Sequence, residues 1–147
     1  MVLLQDINTS QWSQALAGPG LVVTDLEDIK QCLYIIVATR KGSAPFWFDF
    51  GCSLFDWLDE PMTVAAPKIA RDIRASIAQW EPRAIVEEVT FSFQPDGSAF
   101  FNVHWHPVAG TKAGASFSTE FGLNQGSLYL VDNYNRNVNT EFGSLEL

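Results

Sequence analysis

The clearest periodic pattern of apolar positions predicts an amphipathic helix from about Ala66 to Trp80. Isoleucines recur in it at helical spacing and form one stripe, while the charged side chains lie mostly off that stripe. Pro67 suits the first position of a helix, and Pro82 ends it because the proline ring cannot continue the hydrogen-bond ladder. We therefore expect one face of this helix to pack on a sheet. The stripe consists of Ile69, Ile73, Ile77 and Trp80, with Ala66 and Ala70 beside it.

A second helical pattern begins near Asp25. Thr24 and Glu27 have the spacing of a capping box, in which each side chain binds a backbone amide of the first turn. The segment from Cys32 to Val37 is apolar almost all round, which predicts that this half of the helix is deeply buried. An earlier short helix is predicted from about Ser10 to Ala17.

The connection between the two long helices is predicted to be irregular. Thr39 to Cys52 contains glycine and proline breakers and is predicted to be a loop. Ser53 to Leu58 is predicted to form a short helix that stops before Pro61, because a helix rarely continues into a proline.

After Pro82 the apolar period changes from helical to alternating, which is typical of strands. Pro95-Asp96-Gly97 is predicted to be the turn of a hairpin. A third strand is predicted from Ala115 to Phe121 and a fourth from Leu128 to Val131. The predicted inward positions of the hairpin are Ile85, Val89, Phe91 and Phe93 on its first strand, and Ala99, Phe101, Val103 and Trp105 on its second. The predicted outward positions are Glu88, Thr90 and Ser92 on the first strand, and Asn102, His104 and His106 on the second.

The order of these elements, helices first and strands second, predicts an α+β fold. We expect two to four helices packed on an antiparallel sheet of about four strands. At 147 residues the chain is expected to form a single domain spanning residues 1–147. Residues 133–147 are weakly patterned, so we expect them to form an extended arm without a core of its own.

Charge and composition narrow the classes of partner and compartment. The net charge of −8 argues against binding to nucleic acid or to an anionic membrane, both of which require clustered Lys and Arg. The longest apolar run, Leu33 to Ala38, is too short to cross a bilayer, and the N-terminus lacks the pattern of a signal peptide. Cys32 and Cys52 have no metal-binding spacing. We therefore expect folding in the cytoplasm with reduced thiols and no cofactor.

Neither histidines nor carboxylates form a recognisable catalytic or metal site. His104 and His106 alternate onto one face, but no further His or Cys supports a metal at that place, so we interpret them as surface residues. Glycoside hydrolysis requires two carboxyl groups that flank a cleft, and the sequence dictates no such pair. We therefore predict no catalytic residues, no metal site and no enzymatic activity. The acidic candidates considered are Asp49, Asp56, Glu60 and Glu81.

Three short motifs together resemble the sheath-initiator, or baseplate wedge, family of contractile phage tails. They are Thr39-Arg40-Lys41-Gly42-Ser43, Asp49-Phe50-Gly51-Cys52 and Trp80-Glu81-Pro82-Arg83, and the resemblance covers about Asp25 to Val103. Relatives occur in R-type bacteriocins and in the type VI secretion baseplate. The chain departs from many relatives at Phe46-Trp47-Phe48, where they carry a proline or a basic residue.

The resemblance implies a structural protein of the virion tail baseplate, made in the host bacterial cytoplasm. Such a protein joins the wedge to the tail tube and templates the first ring of sheath subunits by strand addition. The implied partners are other baseplate wedge proteins, the tail sheath protein and the tail tube, with six copies per baseplate. Two alternatives remain open: a bacterial regulatory adaptor of the same fold, and a muralytic, lysozyme-like enzyme, since some family members have carried a lysozyme label.

The resemblance also points to candidate partner-binding residues: Glu81, Pro82, Arg83, Asp49, Phe50, Gly51 and Trp47. Two interpretations of the Glu81–Arg83 pair remain: Arg83 presents its guanidinium to a partner, or the two residues form a local ion pair that locks the corner. Gly51 and Phe50 equally suit a contact loop, or a turn with positive φ and a core side chain. Trp47 is a candidate interface anchor because aromatic residues often supply them.

Overall fold

The computed structural model describes residues 1–108, 115–124 and 127–131. A short 3₁₀ turn at Leu54–Trp57 forms where the short helix was predicted. Two α-helices pack against one face of a four-stranded sheet, and a smaller three-stranded sheet lies at the N-terminal end. The helices and strands are β1 (Val2–Leu3), β2 (Trp12–Gln14), β3 (Leu21–Thr24), α1 (Asp25–Ala38), α2 (Met62–Trp80), β4 (Ala84–Phe93), β5 (Ala99–Pro107), β6 (Phe117–Asn124) and β7 (Ser127–Val131).

The predicted α+β class is confirmed. The larger sheet has the order β4-β5-β6-β7, and every neighbouring pair is antiparallel. The smaller sheet has the order β1-β3-β2 and is also antiparallel. In the described part of the chain no helix is long and apolar enough to cross a membrane. The predicted arm at 133–147 lies outside the described residues.

Helix α2 begins four residues before the predicted start. The backbone at Pro61 is extended, and its carbonyl accepts the amides of Val64 and Ala65 at 2.8 and 2.9 Å. Pro67 therefore lies inside the helix and not at its first position, so that prediction was wrong. Its missing N–H removes one hydrogen bond near the helix start, a cost that the buried stripe offsets. That stripe is confirmed at Ile69, Ile73 and Ile77, which are all buried, whereas Trp80 at its end is half-buried.

Helix α1 begins at Asp25 as predicted, but the predicted capping box does not form. Thr24 makes no capping hydrogen bond through its side chain. Thr24 is the last residue of β3 and pairs with Trp12 of β2, and the next residue, Asp25, has a φ of 52°. The chain therefore does not enter the first turn with the helical geometry that a capping box requires. The predicted buried half of the helix is confirmed at its core positions, which include Leu33 and Val37.

The short helix predicted from Ser10 to Ala17 is wrong, because this segment contains strand β2. Trp12, Ser13 and Gln14 pair with β3. An isolated helix of this length is marginal in water, whereas a strand beside β3 gains backbone hydrogen bonds. The predicted order of helices first and strands second therefore fails at the N-terminus.

Strand β4 contains a β-bulge that the apolar pattern did not reveal. Val86 pairs with Trp105 and Glu88 pairs with His104, so one extra residue lies on β4 between them. The bulge changes which side chains face the core. As a result Ile85 is 48% exposed, and the prediction that it faces inward was wrong. Phe93, at the end of the strand, is also exposed.

The rest of the hairpin agrees with the prediction. The turn at Pro95-Asp96-Gly97 is closed by the amide of Gln94, which donates to the Ser98 carbonyl at 2.9 Å. The third and fourth predicted strands correspond to β6 and β7 with shifted bounds. All four predicted inward residues of β5 are buried: Ala99, Phe101, Val103 and Trp105.

Candidate partner-binding site

The chain reverses direction at the corner between α2 and β4. The amide of Glu81 donates to the Ile77 carbonyl and ends the helix, and the amide of Ala84 donates to the Glu81 carbonyl. Glu81 is buried, whereas Pro82 is exposed. The corner therefore holds a carboxylate beneath the surface and presents the proline to solvent.

Arg83 binds two buried carboxylates at once. Its Nε and Nη2 donate to the two carboxylate oxygens of Glu81 at 2.7 and 2.8 Å, which is a bidentate pair. Its Nη1 donates to Asp28 Oδ2 at 2.8 Å. These bonds, first to Glu81 and then to Asp28, raise the pKa of Arg83 above its usual value although burial opposes the shift. The guanidinium is thus a permanent cation between two carboxylates.

The network continues into α1 and the N-terminal sheet. Asp28 Oδ1 accepts the hydroxyl of Ser13, and Gln31 Nε2 donates to the same hydroxyl at 3.0 Å. Cys32 lies one turn after Asp28 and accepts a weak hydrogen bond from Arg83 Nη2 at 3.6 Å. Burial, together with the charges of Asp28 and Glu81, raises the pKa of the Cys32 thiol to about 11. Strand β2, helix α1 and the corner are therefore joined by one polar cluster.

Sequence reasoning found the Glu81–Arg83 pair but missed Asp28, Ser13 and Cys32. The structure places Glu81 and Arg83 in the local ion pair that was one of the two interpretations, with the guanidinium already engaged inside the chain. A signal was available for Asp28, which lies one turn before Cys32 on α1 and so shares its face. An acid among buried positions requires a cation.

The loop from Thr39 to Cys52 is held in one shape by backbone hydrogen bonds. The amide of Cys52 donates to the Thr39 carbonyl at 2.8 Å, and the amide of Gly42 donates to the Phe48 carbonyl at 2.9 Å. Gly51 has a φ of 105°, and a Cβ at this position would lie 2.2 Å from the carbonyl oxygen of Thr39. The fold of the loop therefore requires glycine at position 51, whether or not a partner binds there.

The loop exposes three consecutive aromatic side chains. Phe46, Trp47 and Phe48 are 91%, 65% and 67% exposed. Such a group is unusual on a surface that faces only water, and contiguous exposed apolar patches often mark interaction sites. Asp49 beside them is also exposed, whereas Phe50 is half-buried against the core.

Trp80 joins the loop to the corner. Trp47 and Phe50 contact its ring edge-on, with centroid distances of 6.0 and 5.2 Å. Its indole N–H donates to the Asp49 carbonyl at 3.3 Å. Two motifs that lie about thirty residues apart in the sequence therefore form one surface around a single side chain.

The two histidines and Asp56 lie elsewhere in the described part of the chain. His106 Nδ1 lies 2.8 Å from a carboxylate oxygen of Glu87, and His104 is opposite Glu88. Within the described ranges no three His, Cys, Asp or Glu side chains are placed to hold a metal ion. Asp56 pairs with Arg40 on the surface at 3.2 Å.

Comparison with known proteins places this geometry in a family. The family model described as Baseplate wedge protein gp25 matches residues 23–104, more than half of the chain. Baseplate wedge protein gp25 of Enterobacteria phage T4 is 46% identical over 59 residues, which cover 40% of this chain and 45% of that protein. Baseplate protein W of Escherichia phage P2 is 37% identical over 79 residues, which cover 53% of this chain and 69% of that protein.

A solved structure shows the same fold. A Geobacter sulfurreducens protein, named provisionally as a tail lysozyme, superposes with a TM-score of 0.62 at 23% identity, covering 77% of this chain and 98% of its own. This likeness concerns the fold alone. The matched part of the chain, residues 23–104, contains both motifs around Trp80 and both carboxylates bound by Arg83. The chain therefore belongs to the baseplate wedge protein gp25 family.

Proposed function

We propose that this chain is a structural subunit of a contractile-tail baseplate, which joins the wedge to the tail tube and gives the first ring of sheath subunits a sheet to extend. The observation that carries the proposal is the convergence of the two family motifs on Trp80. Its partners are other baseplate wedge proteins, the tail sheath protein and the tail tube. Family membership supports the baseplate setting.

The wedge-facing contact is assigned to the surface around Trp80. Trp47 is its anchor, because a large, exposed and pre-positioned aromatic ring loses little conformational entropy when a partner covers it. Asp49 and Pro82 contribute exposed groups, and Phe50 and Gly51 fix the shape of the loop. Glu81 and Arg83 hold the corner, and the exposed third of Arg83 offers its remaining donor to a partner.

The sheath-facing contact is assigned to an edge of the four-stranded sheet. An edge strand has unpaired backbone groups, which bind an added strand by main-chain hydrogen bonds. Repetition around a six-fold ring would make modest individual contacts strong together. A regulatory adaptor of the same fold would bind one soluble partner and would not need a repeated contact. Assembly with sheath protein therefore distinguishes the two functions.

The proposed role is structural and not enzymatic. Both carboxylate oxygens of Glu81 accept hydrogen bonds from Arg83, which leaves that acid unsuited to donate a proton to a glycosidic oxygen. The purified chain is expected to leave peptidoglycan intact. Clearing of peptidoglycan that disappears in Glu81→Gln would support the muralytic alternative instead.

Substitution of Trp47 tests the wedge contact. In a pull-down with the wedge proteins of the same particle, Trp47→Ala is expected to lower incorporation at least tenfold, the loss typical of a central aromatic anchor. Trp12→Ala is the control, because it removes another exposed tryptophan, 45% exposed against 65% for Trp47, from the N-terminal sheet. Equal incorporation of the two folded variants would remove Trp47 from the contact.

A further inference from the structure

The larger sheet has two outer strands in the described part of the chain, β4 and β7, and they differ as sites for strand addition. An edge that proteins protect from pairing carries charged side chains, a bulge or a covering group. An edge that receives a partner strand lacks these devices. The inference that follows rests on the proposed sheath contact and concerns which of the two edges makes it.

Strand β4 carries three protective devices near its centre. The bulge between Val86 and Glu88 interrupts the regular ladder. Arg74 of α2 donates from Nη2 to the Glu87 carbonyl at 2.8 Å, and this bond occupies a backbone acceptor that an added strand would need. Glu87 and Glu88 place two carboxylates on the same stretch.

The bulge is also held in place from the neighbouring strands. The carboxylate of Glu87 lies 2.8 Å from His106 Nδ1, and it accepts the hydroxyl of Ser116 at 3.2 Å. The extra residue on β4 is therefore fixed by contacts with α2, with β5 and with the residue just before β6. We conclude that regular pairing along the free side of β4 is obstructed.

In the part of the chain that the structure describes, strand β7 has none of these features. It contains no charged residue, and the four positions from Leu128 to Val131 are apolar or aromatic side chains that are each only half-buried. Its antiparallel pairing with β6 runs over five consecutive residue pairs without a bulge. Among the described residues, no backbone hydrogen bond joins β7 to any strand but β6.

The surroundings of β7 define the chemistry of a matching strand. Leu128 and Leu130 pair with Leu123 and Phe121 and lie on the core side, so alternate residues of the added strand would be apolar. On the other side Val131 pairs with Glu120. Asp96 and Glu120 lie close enough to Tyr129 of β7 that their charges, after burial, help to raise the pKa of its hydroxyl, and two acids beside this edge favour a basic residue in the added strand.

We propose that β7, and not β4, is the edge that receives the sheath protein, and that the added strand alternates apolar residues with Lys or Arg. Strand addition at β7 would cover the half-exposed leucine row and extend the sheet on the side away from the bulge. The sheath strand would then lie next to β7 at the usual spacing of about 4.8 Å.

Hydrogen–deuterium exchange of the full chain, alone and assembled with the sheath protein, tests the edge. Amides of 127–131 that do not bond to β6 are expected to exchange at least tenfold more slowly in the assembly, and those of 84–93 are expected to be unchanged. Protection at 84–93 without protection at 127–131 would overturn the proposal. Full protection of 127–131 in the free chain would also overturn it, because the chain would then cover that edge itself.

A matched pair of substitutions gives a second readout. Val131→Lys places a charge on the β7 edge opposite Glu120, where a favourable cross-strand pair keeps the strand folded. Thr90→Lys places the same charge at an exposed position of β4. We expect the first change to weaken sheath binding at least tenfold and the second less than twofold, and the reverse order would overturn the edge assignment. If the folded wild-type chain binds no sheath protein, the proposed sheath contact itself fails.

Discussion

Arg83 is the residue that joins helix α1 to the corner between α2 and β4. One guanidinium binds two carboxylates, that of Asp28 on α1 and that of Glu81 at the corner, and both acids are almost fully buried. The sequence predicted the partner two positions away, because neighbours in the chain are neighbours in space. It did not predict Asp28, which lies 55 residues away and is brought close only by the packing of α1 against the corner.

Loss of Arg83 is expected to destabilise the fold. Arg83→Ala leaves two buried carboxylates without a cation, and we expect the free energy of unfolding to fall by about 2–4 kcal/mol, less than for a fully buried pair because Arg83 is a third exposed. Arg40→Ala is the control, since its pair with Asp56 is exposed, and its cost is expected to be under about 1 kcal/mol. Urea denaturation of both variants measures the difference, and equal costs would contradict the described role of the network.

The thiol of Cys32 is expected to react slowly in the folded chain. Burial is the main cause that raises its pKa from 9.0 to about 11, so the reactive thiolate fraction at pH 8 is about a hundredfold smaller. The same shift in pKa affects the free energy of unfolding. This free energy is unaffected by Cys32 below pH 9 and falls as the pH rises from 9 to 11, because in that interval the thiol loses its proton in the unfolded chain but keeps it in the folded chain. Iodoacetamide labelling followed by peptide mass spectrometry, with the urea-unfolded chain as control, measures the rate. Equal labelling in the two states would be inconsistent with this environment.

At the scale of elements, patterns that are repeated along a segment were predictable and single-residue interruptions were not. The isoleucine stripe of α2 and the inward row of β5 are confirmed because several side chains specify the same buried face. Ile85 was misplaced because a bulge depends on contacts with α2 and β5, which alternation does not encode. The capping box failed for a related reason, since Asp25, whose amide donates to the Gln11 carbonyl of a neighbouring segment, has a positive φ at the start of α1.

The loop motif provides an element-scale prediction. Gly51→Ala combines a positive φ with a collision between its Cβ and the Thr39 carbonyl, so we expect a loss of more than about 3 kcal/mol. Gly42→Ala is the matched control, because its φ is also positive but the space around it is open. It is expected to cost about 1 kcal/mol. Thermal unfolding of the two variants measures which loses more stability. If Gly51→Ala cost no more than Gly42→Ala, the loop would not be fixed by this turn.

At the scale of the whole molecule, the described surface contains two candidate contacts on different elements. The exposed aromatic loop packs on Trp80 beside the α2–β4 corner. The other candidate is β7, which lies at the opposite edge of the sheet from β4. The resemblance of the motifs was sufficient to predict the family, because those residues lie in a segment that the family model matches. The single surface that the loop and the corner form was not predictable, because Trp80 brings the two motifs together only after folding.

Nucleation of sheath tubes is the most direct test of the proposed role. Purified sheath protein is mixed with the wedge proteins of the same particle, with and without this chain, and tubes are counted by negative-stain electron microscopy. We predict that regular tubes begin on the assemblies that contain the chain and are at least tenfold rarer without it. Equal numbers of tubes in both mixtures, or only a small finite complex when the chain is present, would contradict the role of a baseplate subunit that templates the sheath.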